Sequence, residues 1–253
     1  MMNFYIVSLL DAMAEQNLSI FCDLNFVKSA GFFSDLHEIS NRFKVVTDFY
    51  FSFLKKLNFI SNEASITNHL GYYNFTEPNI YERPVNEILR ALSHKKLLFK
   101  DVIPVQTRYT DKDNMHLVVG LYRIENIKRS FLHIVDLCLP KSEIKNIPSE
   151  VTYVKDLLDS YISDEKQTLR TFIEKKGYNY NHFQRDCKVC FGDSFYSFWL
   201  KKKMIEAVQD IVFTKMSLKQ VAFKNRFLDY QNMYKAFIRH GIGLTTIPRL
   251  ANL

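Results

Sequence analysis

Between Val151 and Gly243 the apolar residues recur at steps of three and four, and the runs break wherever glycine or a polar cluster intervenes. A chain patterned in this way folds into short helices joined by tight turns. Val151 to Ile162 reads as one amphipathic helix, and Ser163, followed by Asp164 and Glu165, caps a second that runs to Lys175 or Lys176. Gly177 supplies the turn, because glycine enters the left-handed region without steric cost. A third helix, about Tyr180 to Val189, stops before Gly192, and Asp193 or Ser194 caps a long one from Phe195 to Phe213. Ser217 and Gln220 have capping-box spacing, and a last helix from about Asp229 to His240 ends at Gly241 and Gly243. With a turn at Asn225 to Phe227, this order predicts an all-α domain in which two helix-turn-helix units are joined by a linker helix.

Residue identities narrow the reading. Gly177-Tyr178, Gln184-Arg185, Gly192-Asp193-Ser194-Phe195, Lys203-Met204 and Glu206 are followed at the right separation by Ser217, Leu218, Val221, Ala222, Phe227 and Phe237. Over roughly Tyr161 to Leu250 this pattern resembles the AraC/XylS family of bacterial transcription regulators. The chain departs from the family at Arg226, where glycine is usual, so that turn must differ or Arg226 must take a strained backbone angle. The tail also departs, with Pro248 displaced and an extra residue near Gly241.

The resemblance implies double-stranded DNA as partner, RNA polymerase as a second partner, and the role of a transcription activator. DNA chemistry suits the residues: Arg donates two bonds to guanine, and Gln or Asn pairs with adenine in the major groove. Asn181, Gln184, Arg185 and Lys188 share one face of the first recognition helix, and Phe183 and Cys187 lie on the other. In the second, Tyr230, Gln231, Tyr234 and Lys235 form the exposed stripe, Asn232 lies at its margin, and Met233 and Phe237 point inward. A linker helix over residues 195–213 spans ~28 Å, close to the ~34 Å between successive major-groove entries. Its Lys201, Lys202 and Lys203 read as a solvated basic face or as phosphate contacts.

The first part of the chain has a different grammar. Apolar steps of three and four predict a long helix over Asp35 to Ile60, and Pro84 to Lys96 reads as another. Segments 102–110 and 115–124 are β-rich and joined by the turn residues 111–114, and a third strand runs from about Phe131 to Leu139. Helices followed by an antiparallel meander make an α+β domain over 1–146, with the DNA-binding domain over 147–253 and the linker in 141–150. The FLHIVDLCLP strand is similar to the last strand of a PAS-type sensor. Tyr72, Tyr73, Phe75 and Tyr81 line a ligand pocket or simply fill the core. The domain therefore reads as a sensor for a small-molecule effector or as a homodimerisation domain.

Charge agrees with this division. Residues 1–149 carry 17 Lys and Arg against 16 Asp and Glu, whereas 150–253 carry 17 against 11. Surplus cation in the helical part suits a nucleic-acid partner. No apolar run is long enough to span a membrane, and Asp11 and Glu15 follow an opening without a basic segment, so a cytoplasmic location is expected. Cys187 and Cys190 have zinc-site spacing without a second pair, so buried thiols are expected and neither metal nor cofactor. The histidines form no nucleophile pattern, which argues against an enzyme. The rival to DNA binding is a protein-interaction module whose helical domain no longer binds DNA, a reading that Arg226 favours.

Overall fold

The computed structural model describes residues 2–23, 36–74, 76–95, 102–126, 128–161 and 168–250. In chain order its elements are β1 (Met2–Asn3), α1 (Phe4–Asp23), α2 (Leu36–Lys56), β2 (Ser65–Tyr73), α3 (Arg83–Ser93), β3 (Ile103–Thr110), β4 (Asn114–Asn126), β5 (Arg129–Pro140) and β6 (Ile144–Lys145). There follow α4 (Tyr153–Ser160), α5 (Leu169–Lys175), α6 (Tyr180–Phe191), α7 (Phe195–Phe213), α8 (Leu218–Lys224) and α9 (Tyr230–Arg239). The protein is therefore mixed α+β, with an antiparallel sheet in its first part and helices in its second.

Two compact units divide the chain. One is Ser8–Ser52 with Ile60–Glu143, and the other is Met1–Val7, Phe53–Phe59 and Ile144–Leu253. The junction after Glu143 falls inside the expected linker, but two early segments belong with the C-terminal helices. Pairing explains part of this, because β1 runs parallel to β6, with Met2 opposite Ile144 and Asn3 opposite Lys145.

In the sheet unit the strands lie in the order β2-β5-β4-β3, antiparallel throughout. On one face the apolar stripe of α3, Val85, Ile88, Leu89 and Leu92, packs on Val105, Val118, Tyr122, Leu132 and Ile134. On the other, Phe43 of α2 meets His133 edge-on at 5.0 Å and Phe21 of α1 at 5.9 Å. Covered on both faces, β5 is buried from Ser130 through Asp136 without alternation. Gly120 is required where β4 crosses β5, since a Cβ there would lie 2.3 Å from the His133 carbonyl oxygen.

Besides the two-residue strands β1 and β6, two elements lie outside the sequence reading. β2 is a mostly exposed edge strand whose Thr67, Asn68 and His69 interrupt any apolar alternation. Helix α1 has apolar residues so widely spread that no single stripe marks it. The aromatic pocket is not formed as drawn. Tyr73 and Tyr81 meet at 5.0 Å against the sheet core, whereas Tyr72 points to the other face, is 43% exposed and lies under Arg129 at 3.5 Å. Phe75 lies outside the described residues.

Candidate nucleic-acid interface

Helix α6 begins because Asn179 turns its side chain back on the chain, accepting from the backbone N–H of Asn181 at 3.0 Å and of His182 at 3.1 Å. Gly177 ahead of it and Gly192 behind it both adopt left-handed backbone, with φ of 83° and 71°. The residues 162–167 are outside the described set, so the expected cap Ser163 is too. The cap of α5 is Thr168, which accepts from Thr171 N–H at 3.2 Å.

The roughly three turns of α6 separate into two faces. Phe183, Cys187, Cys190 and Phe191 are buried, while Asn181, Arg185 and Lys188 are exposed and Gln184 is half-buried. The Arg185 side chain is 70% exposed and among the described residues pairs only with its neighbour Asp186, Nε to Oδ1 at 3.5 Å, which leaves most of its guanidinium open. Asp186 accepts in turn from the Tyr153 hydroxyl at 2.8 Å, and the Tyr153 ring stacks on Tyr178 at 4.4 Å. Burial, and then the Asp186 carboxylate, raise the Tyr153 phenol and keep it a donor.

Helix α7 is capped by Ser194, which accepts from Ser197 N–H at 3.3 Å, and it is buried on most of its surface. Its lysine run does not form one solvated face. Lys201 Nζ pairs with Asp193 at 2.6 Å and Lys202 with Asp159 at 2.8 Å. Lys203, only 8% exposed, donates to the Arg226 carbonyl at 2.7 Å and lies 4.1 Å from the Trp199 ring and 4.3 Å from the Phe227 ring. Burial pulls the Lys203 ammonium down to about 8. Three consecutive lysines thus face three directions, and each is bound within the unit.

The second pair of helices is built in the same manner. Ser217 and Gln220 form the capping box at the start of α8. At its end, buried Asp210 accepts from Lys224 at 2.6 Å and from the Asn225 amide at 2.7 Å, which anchors the 225–227 turn to α7. Arg226 stands there in left-handed backbone with φ of 57°, the angle for which glycine is suited. Asp229 caps α9. Met233, Ala236 and Phe237 are buried, while Gln231, Asn232, Tyr234 and Lys235 are exposed and Tyr230 is half-buried, 6.1 Å from Tyr234. The Asn232 amide turns inward along its own helix end, donating to Asp229 at 2.9 Å.

The sequence reading missed the residues that hold these helices from the start of the chain. Asn3, fully buried, donates from Nδ2 to the Cys190 carbonyl at 2.6 Å and accepts on Oδ1 from Ile6 N–H at 3.1 Å. Tyr5 packs on Phe191 at 5.8 Å and Phe198 at 6.2 Å. From the end of α2, Phe53 stacks on Phe237 at 6.5 Å and Lys56 donates to the Gly241 carbonyl at 2.8 Å. The signal for Asn3 was present: an Asn directly before an apolar helical run is an N-cap. Also missed were Phe223 and Leu228, which flank the 225–227 turn and are 85% and 80% exposed.

Other candidate chemistry finds little support. Cys187 and Cys190 are fully buried thiols, both raised by burial, and no metal-holding group of His, Cys, Asp and Glu is present among the described residues. Ser40 and His133 are bonded at 2.7 Å, but both are buried, so the pair closes a core contact. No helix of the described residues is long and apolar enough to cross a membrane. Comparisons of the chain with protein-family models, with curated proteins and with solved structures find no match.

Proposed function

We propose that the C-terminal unit is a sequence-specific DNA-binding domain of AraC/XylS type and that the protein is a transcription regulator, an activator that touches RNA polymerase. Helices α6 and α9 are the recognition helices of two helix-turn-helix units, and α7, ~28 Å long, sets their separation. One observation carries this reading. Each of the two helices follows a turn with left-handed backbone, starts at a side-chain cap, buries one stripe and presents Arg, Gln, Asn or Lys on the other. Arg185 and Gln184 read bases in the first groove, with Asn181 and Lys188 beside them. Gln231, Tyr234 and Lys235 contact the second, with Tyr230 and Asn232 at the helix end. Leu228, next to the α9 cap, offers an apolar contact to thymine methyl groups. The sheet unit serves as a PAS-like sensor or dimerisation module, and the protein acts in the cytoplasm.

A second reading has its own observation. Among the described residues Phe223 and Leu228 are the two most exposed large apolar side chains, which suits a protein partner on the α8–α9 turn. Gel shifts of the full chain against the DNA upstream of its own gene separate the two readings. Expected is a linear loss of log affinity with log salt, with Arg185→Ala costing ~1–3 kcal/mol and relaxing preference at one base pair. Unaltered specific binding by folded Arg185→Ala removes the assigned role, and absence of any salt-dependent complex favours the protein partner.

A further inference from the structure

An arginine that reads a base has to present its guanidinium at a fixed angle, because two of its donors meet guanine O6 and N7 together. An exposed arginine on a helix has no such angle by itself, since its long side chain has many rotamers. Arg185, 70% exposed on α6, is tied among the described residues at one point, from Nε to Asp186 Oδ1 at 3.5 Å. A tie of this kind at the surface is weak, and its use in orienting Arg185 depends on whether the carboxylate is itself fixed.

That carboxylate is fixed from another helix. The Asp186 side chain is only 14% exposed, and its Oδ2 accepts from the Tyr153 hydroxyl of α4 at 2.8 Å. The Tyr153 ring is in turn stacked on Tyr178, 4.4 Å between centroids and 12° between planes. Tyr178 stands between Gly177 and the Asn179 cap of α6, so the stack is anchored at the start of the same helix. Each Asp186 oxygen thus has one partner, and the bond from Tyr153 sets the direction in which the other oxygen faces. With Nε turned toward Asp186, the Nη1 and Nη2 ends of the fork are the pair left for a base.

We propose that Tyr153 is a positioning residue for base reading: without itself touching DNA, it acts through Asp186 to hold Arg185 by Nε, so that Nη1 and Nη2 address one guanine. The inference rests on the DNA-binding reading of α6 and adds to it a hydroxyl on a different helix.

The test uses the full chain and a duplex that the wild type selects from a library randomised at its central positions. Tyr153→Phe keeps the ring and its stack and removes only the hydroxyl. It should weaken the selected duplex roughly three- to tenfold, the worth of ordering one flexible side chain, and relax preference at the same base pair as Arg185→Ala. In an Arg185→Ala background the same change should leave affinity unaltered, because Tyr153 acts through that side chain. Asp186→Asn, which leaves one acceptor for two donors, should behave as Tyr153→Phe does and serves if that variant fails to fold. A measurement without DNA is the heteronuclear NOE of the Arg185 Nε–H, assigned by its disappearance in Arg185→Ala; it should fall in Tyr153→Phe. Equal losses of affinity in the two backgrounds, wild-type affinity in both folded variants, or an unchanged Nε–H signal overturns the proposal and leaves the DNA-binding reading standing. Failure of the wild type to select any sequence overturns that reading, and the role of Tyr153 with it.

Discussion

Replacing Asn3 by Ala tests whether the start of the chain is structurally part of the helical unit. Two interactions end in this fully buried side chain, and they have separable magnitudes. Its Oδ1 caps α1 through Ile6 N–H at 3.1 Å, and loss of such a cap costs about 1 kcal/mol. Its Nδ2 serves the Cys190 carbonyl at 2.6 Å, which lies in the last turn of α6 and has no partner within the helix. Leaving that buried acceptor unpaired costs ~1–3 kcal/mol more, so Asn3→Ala should lose ~2–4 kcal/mol in all. Asn3→Ser keeps the capping oxygen but cannot reach Cys190, and should lose only the second part. Urea unfolding followed by Trp199 fluorescence measures both, since Trp199 lies in the same unit. The same reasoning predicts that a fragment of residues 144–253 unfolds at lower urea than the full chain. It lacks Tyr5, Phe53 and Phe59, which cover Phe191, Phe237 and Phe198. An Asn3→Ala protein within about 0.5 kcal/mol of wild type, or a fragment of undiminished stability, would refute the argument.

Three further outcomes are expected. Arg226→Gly relieves left-handed strain worth ~1–2 kcal/mol against a glycine entropy cost of ~0.5–1 kcal/mol, so its melting temperature should rise slightly; a fall would show that the turn is unstrained. His133 is held neutral by burial, and then by Lys44, with its ionisation down at about 4 from 6.5. As pH falls through that window the unfolded chain takes up a proton that the folded chain declines. Stability should drop by up to about 3 kcal/mol, and His133→Gln should lose this slope in urea melts between those pH values. Cys187→Ser sets a hydroxyl in a fully buried site and should cost ~1–3 kcal/mol without change in metal content. Zinc near one per chain in the purified wild type would contradict it.

The helical half was legible because helix ends are written locally. Asn179, Ser194, Ser217 and Asp229 each bond a backbone N–H within three residues, so their effect needs no distant partner. The β3–β4 hairpin was legible for the same reason, as Asp111 accepts from Asn114 N–H at 2.7 Å within the turn. Faces of α6 and α9 followed from spacing alone, because a stripe repeating every three or four residues has to be buried together. β2 was not legible, because an edge strand owes its place to pairing with β5, some sixty residues away, and not to its own weak pattern.

By itself, then, the amino-acid order determined where most helices of the second half start and stop and which stripes turn inward, whereas the structure decided between the two outcomes open at Arg226, a different turn or a left-handed angle, in favour of the angle. The fate of the lysine run was decided by tertiary structure. Nothing local distinguishes Lys201, Lys202 and Lys203, yet Asp193, Asp159 and the Arg226 carbonyl capture one each. The tertiary structure also decided that Asn3, Phe53 and Lys56 complete a unit whose other residues begin at Ile144. Spacing along a helix specifies only which face a side chain occupies. What that face meets is set by contacts with other segments, from eight residues away for Lys201 and Asp193 to 187 for Asn3 and Cys190, whose free energy appears only once both ends are folded.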